Sequence, residues 1–576
     1  MQIADYIVII LYMVGVVGAG MLLAGKMKNS KDMFAAGGQS PWWVSGLSGF
    51  MTIFSAGTFV VWGGIAYQYG MVAVAINMCY GIAAMLVGWF LAGYWRKLGV
   101  NSASEFLQLR FGGSIVQFYT WFQGTFGIFA VGGAIYALSK IVCALMPLPE
   151  GHLLSDPVTG MLSVPFTSVV LCLMVILITF SGGLWAVLVT DVLQFVILVI
   201  SVIFVVPLII KKAGGMDLII EKAPEGFMSP IASDFTWWFL VGWVVIHFFK
   251  IGGEWAFVQR YTCVPTAKDA KKAAFIFGAM YLISPIFWML PALVYRTIEP
   301  NQDVEQAYIL ACNLVLPAGM MGLMIAAMAS ATASAATSQL NVFAGAFTTE
   351  VYKRIFNQNA SEQKLVFVGR IFTILLGGIV IAGALLIPRY GYTSFIIDLT
   401  TLLTGPLVLP TIWGLFSKKI GIKAVWGTTI IGFISAVIVK FGLTENGFLA
   451  GSDFLGPLSD WVIANMRIAD LTSGILVPFI VLVVLEFFEK NEHPGWARVQ
   501  ESQQKFSRIK SVQSSTMPAK MVMYALAILA LVMIVLSFIN MEETRILLSF
   551  AFMLIFISSG IYLIIRISEK GNISKV

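Results

Sequence analysis

Residues 236–260 read TWWFLVGWVVIHFFKIGGEWAFVQR. A helix of about 20 apolar residues crosses the hydrocarbon core of a bilayer, and this run is long enough. Yet it carries His247, Lys250 and Glu254, with Gly252-Gly253 between the last two. An ionisable group at the bilayer centre costs about 3 kcal/mol or more, so each one faces protein or a wet cavity. Adjacent glycines weaken a helix and leave backbone free to unwind beside such a cavity. The run at 42–66, WWVSGLSGFMTIFSAGTFVVWGGIA, has the same feature, with Ser55-Ala56-Gly57-Thr58 as its weak point. Four other apolar runs separate the two. Interrupted helices at matching places in two halves point to the binding site of a secondary transporter built from inverted repeats. The expected fold is therefore all-α and membrane-embedded, with five-helix halves at 42–211 and 234–417. No side-chain repeat accompanies this symmetry; it rests on position.

The rest of the chain fits. Of 576 residues, 59% are hydrophobic and 11% charged, and mean hydropathy is +0.89. Soluble domains carry about 25% charged residues, so this is an integral membrane protein. The net charge of +7 points in that setting to basic loops, not to a nucleic-acid partner. The five cysteines form no CxxC pair, which indicates neither a disulfide framework nor a zinc site. No phosphate-binding G-x-x-x-x-G-K-[ST] loop and no H-E-x-x-H motif occurs, so neither ATP-driven pumping nor zinc enzymology is expected.

Cutting the sequence at runs long enough to cross predicts about 15 spans. Around the two halves lie an extra span within 1–30, two spans in 418–488, a polar linker at 489–519 and two spans with a tail in 520–576. The run near Asp5–Gly25 lacks a basic start and a cleavage site and reads as a retained span. Alternate loops are basic: Lys26, Lys28 and Lys31; Arg96, Lys97 and Arg110; Arg260, Lys268, Lys271 and Lys272; Lys353 and Arg354; Lys418, Lys419 and Lys423. The positive-inside rule places that set in the cytoplasm of a cell membrane, with the amino terminus outside and the carboxyl terminus inside.

Two further stretches carry polar chemistry. Asp191 is the lone carboxylate of GGLWAVLVTDVLQFVILVI, either a structural hydrogen-bonding group or part of a cation path. Residues 322–341, GLMIAAMASATASAATSQLN, are almost all small. On a helix Ser334, Thr337 and Ser338 share one face, which suits close packing and also a hard cation with oxygen ligands. Lys250 and Glu254, at i and i+4, read as an ion pair or as solute contacts. His247 reads as a bonded core residue or a ligand.

Four strings in order carry a resemblance: DMFAAGGQSPWW (Asp32–Trp43), GVNSASEFLQLRFG (Gly99–Gly112), GGLWAVLVTDVLQ (Gly182–Gln194) and FTTEVYKR (Phe347–Arg354). They resemble the loop before core helix 1, the loop after core helix 2, core helix 5 and the end of core helix 8 of the sodium:solute symporters. The resemblance implies the leucine-transporter fold, with ten core helices in a 5+5 inverted repeat and core helices 1 and 6 broken. It implies a sodium ion held by the carbonyls of Met51, Phe54 and Ala331 and the hydroxyl of Ser334. The family's second hydroxyl falls on Ala335 here. A second sodium is implied at Asp191, Ser334, Thr337 and Ser338. The solute positions implied by the resemblance fall on Thr58, Asn77, His247, Lys250, Tyr281 and Ile397; with the nearby polar residues, the expected solute site is Ser55, Thr58, Asn77, Tyr80, His247, Lys250, Glu254, Tyr281 and Asp398.

The reading is a non-enzymatic symporter that imports a small organic solute (sugar, sugar acid or other polar metabolite) by alternating access. Its partners are the solute, Na+ as coupling ion and the lipid bilayer; no other cofactor is expected. The alternatives are a proton-coupled transporter of the same fold and a transporter-like membrane sensor.

Overall fold

The structure, a computed structural model, describes every residue except 1, 25–35, 150, 182–183, 446, 450–453, 509–512, 540, 542–543 and 574–576. Lys26, Lys28 and Lys31, the first residues of the Asp32–Trp43 string and the Gly182-Gly183 pair lie outside the described residues. Among the described residues the chain forms helices and three isolated β-bridges, with no strand.

The first half comprises α1 (Ile3–Ala24), α2 (Trp42–Ile53), α3 (Thr58–Tyr69), α4 (Val72–Phe90), α5 (Ala103–Phe111), α6 (Gly113–Cys143), α7 (Val164–Ser181) and α8 (Leu184–Lys212). The second comprises α9 (Trp237–Gly253), α10 (Trp255–Thr262), α11 (Ala267–Ile298), α12 (Met320–Ala346), α13 (Glu362–Leu386) and α14 (Tyr392–Phe416). Beyond it lie α15 (Ile422–Gly442), α16 (Met466–Phe488), α17 (Pro494–Ser507), α18 (Met517–Ile539) and α19 (Thr544–Ile573). Among the described residues eleven helices are long and apolar enough to cross a membrane, or thirteen if each bent pair is one span. Two more expected spans, α1 and α7, contribute shorter apolar helices, Ile3–Gly15 and Val164–Leu177.

Both expected interruptions are present. The axes of α2 and α3 meet at 59°, and those of α9 and α10 at 57°. At the breaks Phe54 (φ −79°, ψ 126°) and Glu254 (φ −67°, ψ 138°) are extended. A break deep in lipid frees backbone groups that need partners. Here Ala56 N–H donates to Thr332 Oγ1 at 2.9 Å and Gly57 N–H to Ser55 Oγ at 3.2 Å. The carbonyl of Gly252 accepts from Trp95 Nε1 at 2.7 Å, and that of Ile251 from the Tyr261 hydroxyl at 3.3 Å.

The small-residue helix α12 lies at the centre, with 89% of its most apolar window buried. It packs against α1, α2, α6, α7, α8 and α13, which its short side chains permit. Its amino end is capped from another helix: Asp5 Oδ1 on α1 accepts from the N–H groups of Gly319 (2.7 Å) and Gly322 (2.8 Å). A Cβ at Gly322 would collide with the backbone of Asp5.

Outside the core, α15 and α16 pack on each other and on α14. A Cβ at Gly405 would collide with the carbonyl of Gly474, so α14 and α16 touch backbone to backbone. The pair α18–α19 packs on α8. The stretch expected as a linker contains the helix α17, because its polar sequence has one apolar face. Trp496 and Val499 are buried, Arg498 Nε donates to Leu109 O at 2.9 Å and Ser502 Oγ to Leu98 O at 3.0 Å.

Candidate functional site

The two breaks open onto one cavity of about 260 Å³. Ser55, Gly57 and Thr58 line it from the first break, and His247, Lys250 and Glu254 from the second. Tyr80 on α4, Gln123 on α6, Gln339 on α12, and Tyr392 and Thr400 on α14 complete its polar wall. Two wide π-helical turns, Thr58–Trp62 and Thr404–Val408, contribute to its lining. Such turns concentrate at functional sites because they displace side chains from regular register.

Lys250 and Glu254 are each hydrogen bonded to a neutral partner on another helix. Lys250 Nζ donates to Thr400 Oγ1 at 3.3 Å, and Gln339 Nε2 donates to Glu254 Oε1 at 3.1 Å. The helix ends between them, so the i, i+4 pairing does not form. His247 is sandwiched between Tyr80 (4.1 Å) and Trp243 (4.5 Å), its Nδ1 2.9 Å from the Trp243 carbonyl. That carbonyl makes Nδ1 the donor and leaves Nε2 as an acceptor. Gln123 Oε1 is buried without a hydrogen-bond partner among the described residues, which leaves an acceptor free for a ligand.

Six of the nine expected solute-binding residues line this cavity, and Asn77, Tyr281 and Asp398 do not. Asn77 turns its amide onto Ala73 O at 2.8 Å. The Tyr281 ring packs 4.4 Å from Phe50 and 5.3 Å from Tyr80, behind the lining. Asp398 faces away, with Lys440 at 3.0 Å and Arg467 at 3.6 Å.

A second polar cluster lies where α2, α8, α10 and α12 meet. Asp191, 2% exposed, accepts from Ser334 Oγ at 2.5 Å on one oxygen and from Ser48 Oγ at 2.5 Å on the other. Arg260 Nε donates to Ser48 Oγ at 3.2 Å, and its Nη2 donates to Ser338 Oγ at 2.9 Å and lies 3.9 Å from Asp191 Oδ2. The basic-loop count set Arg260 in a loop, but it is on α10 and 1% exposed. The correction has a physical cause: a buried carboxylate draws a buried cation, and the side chain reaches inward to it. Thr337 points elsewhere, its hydroxyl accepting from Thr179 Oγ1 at 3.1 Å. Met51, Phe54 and Ala331 are buried, and α2 packs on α12, while Ala335 lines the cavity between the breaks. Hydroxyl and carboxylate oxygens are the donors a hard cation takes. Among the described residues no cluster of three His, Cys, Asp or Glu suits a softer metal.

Sequence reasoning missed Ser48, Gln123, Arg260, Gln339 and Thr400. Gln123 carried a signal, as an amide inside an apolar run. Ser48 and Arg260 lacked one, because their importance lies in meeting Asp191 from other helices.

Comparison with known proteins places this geometry. Residues 33–432 match the family model described as SSF, Sodium:solute symporter family. The sodium/sialic acid symporter NanT of Aliivibrio fischeri is 27% identical over 469 residues, covering 78% of this chain and 90% of that one. The sodium/glucose cotransporter of Vibrio parahaemolyticus is 25% identical over 477 residues, covering 75% and 83%. A solved substrate-bound, outward-open Na+-coupled sialic acid symporter superposes with a TM-score of 0.65 at 24% identity, covering 83% of this chain and 98% of that chain. The shared fold is the leucine-transporter arrangement, and α2–α3 and α9–α10 are its two broken core helices.

Proposed function

The chain belongs to the sodium:solute symporter family, and from that premise we propose that it imports a small polar organic solute bound between its two helix breaks. It is a multi-pass membrane transporter and not an enzyme. The solute class favoured is a sugar, sugar acid or other polar metabolite. What supports this is the cavity itself: Lys250, Glu254, His247, Gln123 and Gln339 supply donors and acceptors among aromatic rings. Loop charge supports an amino terminus outside the cell and a carboxyl terminus in the cytoplasm.

Sodium is assigned to the oxygens gathered on α12. Met51 and Phe54 with Ala331 and Ser334 form one candidate set. Asp191 with Ser334 and Ser338 forms the other, and Ser48 stands beside it. Thr337 is a weaker member, since its hydroxyl is engaged by Thr179. An ion held between helices that separate on opening binds one conformation better than the other. Only that difference lets its gradient drive the solute.

The observation that carries the reading is the convergence of Asp191, Ser334 and Ser48, from three helices, at hydrogen-bonding distance. The test is solute uptake into proteoliposomes under a sodium gradient, with potassium as the replacement ion at fixed pH. Uptake should require sodium, and Asp191→Asn or Ser334→Ala should raise the sodium needed for half-maximal uptake about tenfold or more. A full sodium response in both variants would defeat the assignment, and uptake indifferent to sodium would defeat the coupling.

A further inference from the structure

Arg260 is the one member of the Asp191 cluster that sodium-coupled transport does not by itself require. Its guanidinium meets Ser48 on α2, Asp191 on α8 and Ser338 on α12. Its other contacts are local, with Nη1 donating to Gln259 Oε1 at 2.8 Å and to Ala256 O at 3.4 Å. The three distant groups are oxygens that a hard cation also seeks. Two cations cannot share them closely, because like charges a few ångströms apart in a weakly polarisable interior repel strongly.

We propose that Arg260 is a tethered competitor of sodium: its guanidinium holds the Asp191 cluster while the ion is away and is displaced when the ion binds. This rests on the assignment of the cluster to sodium.

Two features make displacement practicable. The first is the loose grip. An arginine clamps a carboxylate most firmly with two direct hydrogen bonds. Here Nη2 stands 3.9 Å from Asp191 Oδ2, and the Ser48 hydroxyl is interposed, accepting from Nε while donating to the carboxylate. The second is the place of Arg260 in the chain. It sits on α10, the half-helix that begins just past the break at Glu254, and Glu254 and Lys250 face the solute cavity. About six residues of helix, roughly 9 Å, separate Glu254 from Arg260. Release of the guanidinium therefore removes the polar ties of this side chain to α2, α8 and α12 at the moment the ion arrives, while the apolar packing of α10 stays in place. Sodium occupancy is thereby communicated to the wall of the solute site, and linkage makes the effect reciprocal.

The test is thermal unfolding of the full-length purified protein against sodium chloride, with choline chloride holding ionic strength constant. Removing a competitor strengthens the ion. Arg260→Gln should lower the half-saturating sodium concentration about tenfold, and Arg260→Lys should lower it less. Lysine keeps the buried charge without the fork, so this variant decides the matter where the glutamine variant does not fold. Asp191→Asn should abolish the sodium-dependent shift. If Asp191→Asn keeps the wild-type response, the ion is not at this cluster and the site assignment falls. If Asp191→Asn loses the response while the Arg260 variants keep the wild-type half-saturation, or need more sodium, Arg260 is a structural partner and the proposal is overturned. A purely structural role lowers the unfolding temperature equally in sodium and in choline, leaving the half-saturation unmoved.

Discussion

At the scale of single residues, the first break tolerates little variation. Gly57 sits where a Cβ would run into the Tyr392 hydroxyl. Forcing a methyl into a packed site costs about 1–3 kcal/mol, and here the collision partner lines the solute cavity. Gly57→Ala is expected to lower the unfolding temperature and to abolish uptake. Tyr392→Phe in the same chain should recover part of the stability, because it removes the oxygen the methyl meets. A double variant no more stable than Gly57→Ala alone would show that the clash lies elsewhere. The glycine was legible as a weak point in the sequence, and so was the reason to examine Asp191. The tyrosine was not, because α14 lies 335 residues further on and nothing local announces which ring will close over a glycine. The same limit applies to Arg260. Read along the chain, it is one more cation at the edge of a basic loop. Only the approach of α2, α8 and α12 gives it distant partners.

At the scale of elements, apolar run length and paired interruptions were enough to place the broken helices and the central small-residue helix. They were not enough for α17. Its sequence is rich in Gln, Ser, Lys and Arg, and the face it buries is small, with Gly495, Trp496 and Val499. What fixes it is a set of contacts to α5 and the turn before it. His493 is its amino-terminal cap: Nδ1 accepts from Gly495 N–H at 3.1 Å and lies 3.2 Å from Arg110 Nη1. Both neighbours are donors, so the ring must be neutral with its proton on Nε2. Burial first, then the charges of Arg110 and Arg498, lower the affinity of His493 for a proton, against a smaller opposing pull from Glu489. A histidine whose pKa is depressed by docking stabilises the docked state fully above its ordinary value of about 6.5 and loses that contribution as pH falls below it. The protection of α17 amides, taken relative to their intrinsic exchange rates at each pH, should therefore fall as pH drops below about 6.5, and His493→Gln should flatten the change. Protection that holds constant or rises with acid, or a glutamine variant with the same profile, would remove His493 from this role.

At the scale of the whole molecule, the transport core does not stand apart from its additions. The first helix, α1, holds the amino end of the central helix through Asp5, whose carboxylate satisfies two buried N–H groups at once. Leaving such donors unpaired costs about 1–3 kcal/mol. Asp5→Ala should lower the unfolding temperature measurably, with Asp5→Asn, which retains an accepting oxygen, falling between it and the wild type. Equal stability of all three would mean the cap contributes nothing. Composition marked the stretch of α1 as apolar, but not that it served α12, because the two are joined only by folding.

The same interdependence shows at the opposite wall. Gly405 and Gly474 bring α14 and α16 together with no side chain between them. A shortened chain ending after the second repeat would leave that bare strip of main chain facing acyl tails, which offer it neither shape nor polarity. Anyone paring this protein down to a minimal machine should expect the cut at that seam to fail, and should trim the α18–α19 pair first.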